Sequence, residues 1–258
     1  MTRSGIAITT AETLAEHLRR LGIERGAKLV VHSSLISFGR IEGGAETVLR
    51  CLLEAVGPDG TLLFPTYTFD TADKPYDPRH SPSTNVGMLG ETARRHEGAV
   101  RSRSAIHSHA GLGRLAPLLA ETAADLSFGP GSDFDMMHRQ GFDVVMLGCG
   151  FGACTFVHHV EAVAAVPYRE WMTLQRRIVD PETGLESEIA FRYFGRKDDR
   201  WATRFEIVEQ PLRDSGQLVE TEAPYGRSFR APLATLHDLA RNMIYGDPYS
   251  LVITANAP

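Results

Sequence analysis

The sequence predicts an α/β fold, an α/β/α sandwich with a largely parallel central sheet and an antiparallel C-terminal elaboration. Two apolar runs, 27–32 (AKLVVH) and 61–65 (TLLFP), have the length and composition of buried strands. A helical pattern at 45–56 connects them, and a helix between neighbouring strands implies a parallel pair with a right-handed crossover. A third apolar run, 143–148 (DVVMLG), extends the same sheet.

The remaining elements follow from periodicity and from turn residues. Apolar residues at helical spacing predict a helix over 10–21, and Thr10 can cap its start. Three further helical patterns lie at 87–96, 115–124 and 232–243. Residues 67–87 lack periodicity and are rich in Pro, Asp, Ser and Thr, so we expect a long irregular segment, of the kind that is usually functional or disordered.

The C-terminal third changes character. Alternating runs such as 188–194 (EIAFRYF) predict antiparallel strands between residues 173 and 219. No Gly/Ser linker and no repeat divides the chain. We therefore predict one domain over 1–258, in which 1–170 form the α/β core and 171–258 the elaboration.

Composition limits the classes of function. The chain has 258 residues, 43% of them hydrophobic and 23% charged, with a net charge of -5, which leaves no basic face for nucleic acid. No apolar run approaches the roughly 18 residues of a membrane helix, and Met1–Gly5 is too short and polar for a signal peptide. Three cysteines without zinc-ligand spacing fit a reducing compartment. We expect a cytoplasmic protein.

A serine-rich loop follows the first buried strand. The segment 30–39 (VVHSSLISFG) lies between a strand and a helix, where open α/β sheets bind ligands. It has neither the glycine spacing of a dinucleotide fingerprint nor the Gly-Lys-Ser/Thr of a P-loop. The alternative interpretation is a connection whose serines only cap the next helix.

The most informative segment is 154–169 (CTFVHHVEAVAAVPYR), which follows a glycine-rich turn. On a helix His158 and Glu161 lie on one face, where the carboxylate can orient the imidazole. A neutral histidine held in this way is a competent general base. For the adjacent His159 we favour a buried packing role.

Two other chemistries stay open from the residues alone. His107 and His109 alternate along an extended segment, and together with His158 they could form a zinc site of a hydrolase. Cys149 could be a thiol nucleophile near His158, although a cysteine at a strand end is more often a small buried hydrophobe. No Gly-x-Ser-x-Gly nucleophile elbow is present.

Three segments, taken in order, resemble one family. The segments 31–69 (VHSSLISFGRIEGGAETVLRCLLEAVGPDGTLLFPTYTF), 75–102 (PYDPRHSPSTNVGMLGETARRHEGAVRS) and 141–169 (GFDVVMLGCGFGACTFVHHVEAVAAVPYR) are similar to the aminoglycoside 3-N-acetyltransferases, acetyl-CoA-dependent enzymes unrelated in fold to the GNAT acetyltransferases. The resemblance is strong over residues 10–170 and loose beyond. It implies transfer of an acetyl group to an amine of an aminoglycoside or a related metabolite, in antibiotic resistance or secondary metabolism.

The resemblance also implies site residues. In a Thr-x-x-His-x-x-Glu segment it assigns His158 as the base that deprotonates the attacking amine, with Glu161 beside it. The residues implied for acetyl-CoA are His32, Ser33, Ser34, Leu35, Phe38, Gly39, Arg101 and Ser108. We expect the acceptor beside the irregular segment, with Tyr67, Asp70 and Asp77 as its contacts, no resident metal, and a homodimer as one oligomeric state that relatives suggest.

One departure from the family pattern concerns the segment 101–108 (RSRSAIHS). Members usually have Arg-Ser-x-His-Pro-x-x-Ser, and here Ser104 and Ala105 replace the histidine and proline. A third interpretation follows from this change: a relative that binds CoA without catalysis.

Overall fold

The structure, a computed structural model, describes residues 5–255. Its α-helices are α1 (Ala11–Arg20), α2 (Gly44–Val56), α3 (Met88–Arg95), α4 (Asp133–Arg139), α5 (Phe156–Ala164), α6 (Glu209–Asp214) and α7 (Leu233–Gly246). Its strands are β1 (Ile8–Thr9), β2 (Lys28–Ser33), β3 (Arg40–Ile41), β4 (Thr61–Pro65), β5 (Val100–Arg101), β6 (His109–Gly113), β7 (Asp143–Leu147), β8 (Arg169–Val179), β9 (Glu186–Arg196), β10 (Trp201–Thr203), β11 (Val219–Ala223), β12 (Gly226–Pro232) and β13 (Val252–Thr254). Short 3-10 turns include Leu35–Phe38 and Phe151–Ala153.

The central sheet has seven strands in the order β11-β12-β7-β2-β4-β6-β5. Its three central strands are parallel, because β2 pairs in parallel with both β7 and β4. The outer pairings are antiparallel, and five of the seven strands (β11, β7, β2, β4 and β5) point in the same direction. The predicted α/β fold built on parallel strands is confirmed.

Helices cover both faces of this sheet, which gives three layers. Alternate side chains of β2 point to opposite faces, so Val31 packs with α1, α2 and α3, whereas Val30 packs with α4, α5 and α7. Each face is closed by a separate cluster of buried apolar side chains. The two helical layers bury the middle of β2, β4 and β7, and a site can form at the ends of these strands.

The C-terminal part differs from the prediction in one respect. The predicted antiparallel strands are present, since β8 and β9 form an antiparallel hairpin, but β12 joins the central sheet beside β7 and β11 lies at its edge beside β12. The central sheet therefore contains strands from both the N-terminal and the C-terminal parts of the chain.

Two helical elements differ from the prediction. The predicted helix at 115–124 is a 3-10 segment, Ala116–Glu121. Helix α4 was not predicted because its seven residues are too few to show periodicity.

Within residues 5–255, no helix is long and apolar enough to span a bilayer.

Candidate active site

A cleft of about 500 Å³ opens at the carboxyl ends of the parallel strands. It takes side chains from the ends of β2 and β4, from the loop after β7, from the irregular segment before α3, from the start of α5 and from β9. The lining residues are Val31, His32, Ser33, Ser34, Pro65, Tyr67, Phe69, Asn85, Val86, Gly87, Gly90, His107, Cys149, Ala153, Thr155, His158 and Tyr193. The irregular segment at 67–87 thus forms one wall of a cavity.

The first turn of α5 places His158 at this cleft. The glycine-rich turn after β7 leads through a 3-10 turn to Thr155, which precedes the helix. Most of α5 is apolar and packs into the core, so the helix is fixed by burial. The side chain of His158 is 20% exposed, whereas that of Glu161, one turn later, is fully buried.

His158 and Glu161 form a hydrogen-bonded pair. Nδ1 of His158 lies 2.6 Å from Oε2 of Glu161. Tyr168 donates its hydroxyl to Oε1 of the same carboxylate at 2.7 Å, and Nε of Arg169 forms an ion pair with Oε2 at 2.8 Å. Burial opposes ionisation of Glu161, but its interactions with His158, Arg169 and Tyr168 outweigh this effect and lower its pKa.

The environment of His158 keeps its imidazole neutral at physiological pH. Burial lowers the pKa of His158. The positive charges of Arg169 and Arg196 lower it further, whereas the carboxylate of Glu161 opposes this shift. An ionised Glu161 accepts the Nδ1–H, so Nε2 bears the lone pair. No described residue forms a hydrogen bond with Nε2, which leaves it available at the cleft. The pair has the arrangement of a general base with its orienting acid.

His159 faces the opposite way. It is 2% exposed, and its Nδ1 accepts a hydrogen bond of 3.2 Å from the backbone N–H of Gly129. Burial lowers its pKa to about 4. The structure therefore gives His159 the packing position that the sequence analysis favoured.

The serine loop contributes three of its predicted residues to the cleft, His32, Ser33 and Ser34. The two serine hydroxyls form no hydrogen bond with any described residue, and Nε2 of His32 is buried without a partner. Free hydroxyls beside a neutral imidazole can form hydrogen bonds with a polar, uncharged ligand. Burial and the nearby His109 lower the pKa of His32 to about 3, so this side chain is a neutral polar group.

The other three predicted loop residues do not line the cleft. Phe38 is a core residue, 2% exposed and in edge contact with His17. Leu35 packs against the same core. Gly39 has φ of 70°, and a Cβ there would lie 2.4 Å from the carbonyl oxygen of Ala7, so glycine is required by the backbone. These three residues support the conformation of the loop on its core side, away from the cleft.

The loop is tied to the strand that precedes α5. Ser37 Oγ donates a hydrogen bond of 2.6 Å to the carbonyl oxygen of Gly148. Gly148 has φ of 72°, and a Cβ there would lie 2.7 Å from the carbonyl oxygen of Ser34. This close approach holds the free serine hydroxyls in place relative to the turn that leads to His158.

Arg101 and Ser108 lie behind the cleft wall. The guanidinium of Arg101 donates to the carbonyl oxygens of Thr66 and Ser81, both at 2.5 Å, and to the hydroxyl of Ser108. Ser108 donates to the carbonyl oxygen of Thr66 at 2.8 Å and is fully buried. Their polar groups are thus bonded within the protein, and neither residue lines the cleft. Their contact with the acyl donor stays a prediction.

The replaced positions of the same segment are also internal. Ser104 Oγ donates to the carbonyl oxygen of Leu126 at 3.3 Å, and the carbonyl oxygen of Ala105 accepts from Thr68 and Thr71. Both side chains are buried and neither lines the cleft.

Of the predicted acceptor contacts, only Tyr67 lines the cleft. Asp77 organises a turn, since its Oδ1 accepts a hydrogen bond of 2.8 Å from the backbone N–H of Arg79. Asp70 is exposed at the surface and is absent from the lining. The carboxylates that the sequence analysis selected for a cationic acceptor are therefore not directed into the cavity.

The geometry does not support the zinc ligand set of His107, His109 and His158. Nδ1 of His109 lies 2.9 Å from Asp133, and its other ring nitrogen, Nε2, lies 3.5 Å from the Tyr67 hydroxyl. Nδ1 of His107 lies 3.0 Å from the hydroxyl of Ser127. In the described part of the chain, no three His, Cys, Asp or Glu side chains are grouped to hold a metal ion. Cys149 borders the cleft, but burial raises its pKa to about 12, so it is not a thiolate.

Comparison with known proteins identifies the family. The family model described as "Aminoglycoside 3-N-acetyltransferase" matches residues 30–244. The chain is 32% identical to aminoglycoside N(3)-acetyltransferase III of Salmonella sp. over 202 residues, 71% of this chain and 69% of that protein. It is 32% identical to aminoglycoside N(3)-acetyltransferase VII of Streptomyces paromomycinus over 234 residues, 80% and 81% of the two chains. The chain belongs to the aminoglycoside 3-N-acetyltransferase family.

Solved structures of aminoglycoside acetyltransferases share the fold. The crystal structure of AAC(3)-Xa superposes with a TM-score of 0.82 at 28% identity, covering 95% of this chain and 94% of that one. The binary complex of AAC-IIIb with CoASH has a TM-score of 0.83 at 24% identity, covering 98% and 100%. The predicted enzyme class, an acyltransferase of the 3-N-acetyltransferase family with acetyl-CoA as cosubstrate, is confirmed.

Sequence analysis missed some residues of the site, two that hold Glu161 and two that line the cleft. Tyr168 and Arg169 follow α5 closely in the chain, yet their contact with Glu161 depends on the turn after the helix. Asn85 and Tyr193 come from an irregular segment and a distant strand, and no local pattern distinguishes them. One feature of the structure sets Asn85 apart: its φ is 60°, a left-handed conformation that asparagine tolerates better than most residues.

Proposed function

We propose that this chain transfers the acetyl group of acetyl-CoA to an amine of an aminoglycoside or a related amine metabolite, with His158 as general base oriented by Glu161. The observation that carries the proposal is the 2.6 Å hydrogen bond between these two side chains at the wall of the cleft. The serine loop lies in the same cleft, with hydroxyls that are free for the acyl donor.

In this reaction the amine nitrogen attacks the thioester carbon, a C–N bond forms, and the C–S bond to CoA breaks. Nε2 of His158 takes the proton that the nitrogen loses, and Glu161 stabilises the resulting imidazolium. The imidazolium can then return its proton to the departing CoA thiolate. A positioned base of this kind contributes about 10²- to 10⁴-fold to the rate.

The carbonyl oxygen of the thioester gains negative charge in the transition state and needs hydrogen-bond donors. We assign this role to the serine loop, whose hydroxyls at Ser33 and Ser34 have no other partner in the described part of the chain. The N–H groups at the start of the 3-10 turn Leu35–Phe38 are further donors, because the first turn of a helix leaves them unpaired.

The position of the altered segment favours catalysis over mere CoA binding. Ser104 and Ala105 are buried behind the wall and do not line the cleft, so their replacement of the family histidine and proline leaves the pair of His158 and Glu161 intact. We also propose a cytoplasmic location, where acetyl-CoA is available; a homodimer stays a prediction.

The test is release of CoA thiol from acetyl-CoA by the purified protein with a panel of amines that includes aminoglycosides. We expect release that requires an amine, together with an acceptor heavier by one acetyl group in mass spectrometry. Saturable acetyl-CoA binding with no acetylated product from any amine would contradict the proposal and favour a binding-only protein.

A further inference from the structure

A second histidine–carboxylate pair lies behind the cleft, apart from the pair of His158 and Glu161. Nδ1 of His109, at the start of β6, lies 2.9 Å from Oδ2 of Asp133, the first residue of α4. Both side chains are buried, at 0% and 1% exposure. The general-base role assigned to His158 makes no use of this pair, although burying a carboxylate and an imidazole together is costly unless their polar atoms are hydrogen-bonded.

Asp133 has a hydrogen-bond donor at each of its carboxylate oxygens. Ser102 donates its hydroxyl to Oδ2 at 2.5 Å, and Thr122 donates to Oδ1 at 2.7 Å. The hydroxyl oxygen of Ser102 also accepts the backbone N–H of His109 at 3.1 Å. This network holds the carboxylate as an acceptor for the Nδ1–H of His109. In the neutral imidazole, Nε2 then bears the lone pair.

The lone pair of His109 meets the hydroxyl of Tyr67. Nε2 lies 3.5 Å from this hydroxyl, and the two rings meet edge to face with centroids 5.5 Å apart. Tyr67 lines the cleft although only 4% of it is exposed. Burial raises the pKa of Tyr67, so its hydroxyl keeps the proton that it directs to His109. Hydrogen bonds at active sites are often long before a ligand binds, and we expect this one to shorten in the occupied cleft.

A phenol that donates its proton to His109 presents its oxygen to other groups as an acceptor. The hydroxyl of Thr155, which also lines the cleft, approaches this oxygen as a hydrogen-bond donor. Within residues 5–255, no side chain that lines the cleft is an aspartate or a glutamate. An amine in this cleft must therefore donate its N–H groups to uncharged acceptors, of which the oxygen of Tyr67 is one.

From these contacts we infer that Tyr67 accepts a hydrogen bond from an N–H or O–H group of the amine acceptor, and that His109 and Asp133 are positioning residues for the Tyr67 hydroxyl. The hydrogen bonds run in one direction, from Tyr67 to His109 and from His109 to Asp133. The buried carboxylate thereby polarises both donors and strengthens the oxygen of Tyr67 as an acceptor at the cleft. This inference rests on the acetyl transfer proposed above and concerns the amine, not the acyl donor.

Tyr67→Phe tests the contact with the acceptor, because it removes the hydroxyl and keeps the ring. At saturating acetyl-CoA we expect kcat/KM for neamine, or for the fastest amine of the panel if that is another, to fall about tenfold, as for one lost hydrogen bond. The Kd for acetyl-CoA, measured by calorimetry, should stay the same. An unchanged kcat/KM, or an equal loss of acetyl-CoA affinity, would overturn the inference.

A double-mutant cycle tests the positioning role. His109→Asn keeps an N–H close to the position of Nδ1 but has no atom at the position of Nε2. It should lower kcat/KM about as much as Tyr67→Phe does, without changing the Kd for acetyl-CoA. Because His109 acts through the Tyr67 hydroxyl, the double variant should be no slower than the slower single variant. Losses that multiply in the double variant would leave His109 with a structural role only and would overturn the inference.

Tyr193→Phe is the matched control for this coupling. It removes a hydroxyl from the same cleft, but the ring nitrogens of His109 face Asp133 and Tyr67 instead. Its effect on kcat/KM should therefore multiply with that of His109→Asn, and coupling as strong as that of Tyr67→Phe would overturn the inference. If His109→Asn does not fold, Asp133→Asn, which keeps the side-chain shape, takes its place in the cycle with the same expectation.

The two levels of the account fail in different ways. A wild-type protein that acetylates no amine would overturn acetyl transfer and the inference with it. An active wild-type protein whose losses multiply in the cycle would overturn the inference alone.

Discussion

Tyr168 and His158 hold the two oxygens of one buried carboxylate. The Tyr168 hydroxyl donates to Oε1 of Glu161 at 2.7 Å, and Nδ1 of His158 lies 2.6 Å from Oε2. With both oxygens engaged, Glu161 is fixed in orientation, and through it the imidazole ring is fixed at the cleft. The arrangement predicts how the reaction responds to pH.

Glu161→Gln should shift the acid limb of the pH profile to lower pH. The charge of Glu161 raises the pKa of His158, so its removal lowers that pKa further, and the base stays deprotonated in more acidic solution. The rate should fall about 10²-fold, because the imidazolium loses its stabilising partner. The measurement is kcat/KM for thiol release across acid and neutral pH.

Glu170→Gln, at an exposed position of β8, is the control for that experiment and should keep the wild-type profile. Glu161→Gln also leaves the buried Arg169 without its ion partner, which should lower the free energy of unfolding by about 3–5 kcal/mol. An acid limb that moves to higher pH would contradict the assigned role of Glu161.

Arg101→Ala should reduce stability and leave acetyl-CoA affinity almost unchanged. The guanidinium bridges the carbonyl oxygens of Thr66 and Ser81 and does not line the cleft. Loss of several hydrogen bonds from a charged donor should lower the free energy of unfolding by about 3 kcal/mol or more. Urea unfolding and calorimetric binding of acetyl-CoA measure the two effects. Normal stability of Arg101→Ala with weakened acetyl-CoA binding would contradict this structural role and support contact of Arg101 with the acyl donor.

His17→Gln should make the protein less sensitive to acid. Burial, reinforced by Arg20, lowers the pKa of His17 to about 4 in the folded state, against an unfolded value near 6.5. The neutral His17 therefore contributes fully to the free energy of unfolding above pH 6.5. This contribution, about 3 kcal/mol, is lost as the pH falls towards 4. Glutamine can still bond Ser228, which lies 2.8 Å from Nε2 of His17.

The comparison is urea unfolding of both proteins at neutral pH and at pH near 4. The stability difference between the two conditions should be smaller in His17→Gln than in the wild type. His96→Gln, at an exposed position, should behave as the wild type does. The same acid sensitivity in all three proteins would contradict the account.

The parallel centre of the fold was predictable because its strands are buried on both faces and therefore appear as short apolar runs. The runs at 27–32 and 61–65 correspond to β2 and β4. β12 was not predictable in the same way, since its sequence, Gly226–Pro232, is polar at several positions. Its place beside β7 depends on tertiary pairing.

In the candidate site, too, the features that depend on local sequence were predictable, and those that depend on tertiary packing were not. The pairing of His158 with Glu161 is a local consequence of helical spacing, so the sequence could predict it. Phe38, Gly39 and Arg101 belong to the segments that resemble the family, but the resemblance alone does not tell a ligand contact from a residue that supports the contact from behind. That distinction needs the direction of each side chain, which depends on packing.

The most direct test of the central claim compares two adjacent histidines. His158→Gln and His159→Gln make the same substitution one residue apart, at the cleft and in the core respectively. We predict that His158→Gln lowers kcat by about 10²- to 10⁴-fold without changing the Kd for acetyl-CoA, while folded His159→Gln retains most of its activity. Near wild-type turnover by His158→Gln would contradict the assignment of His158 as the base.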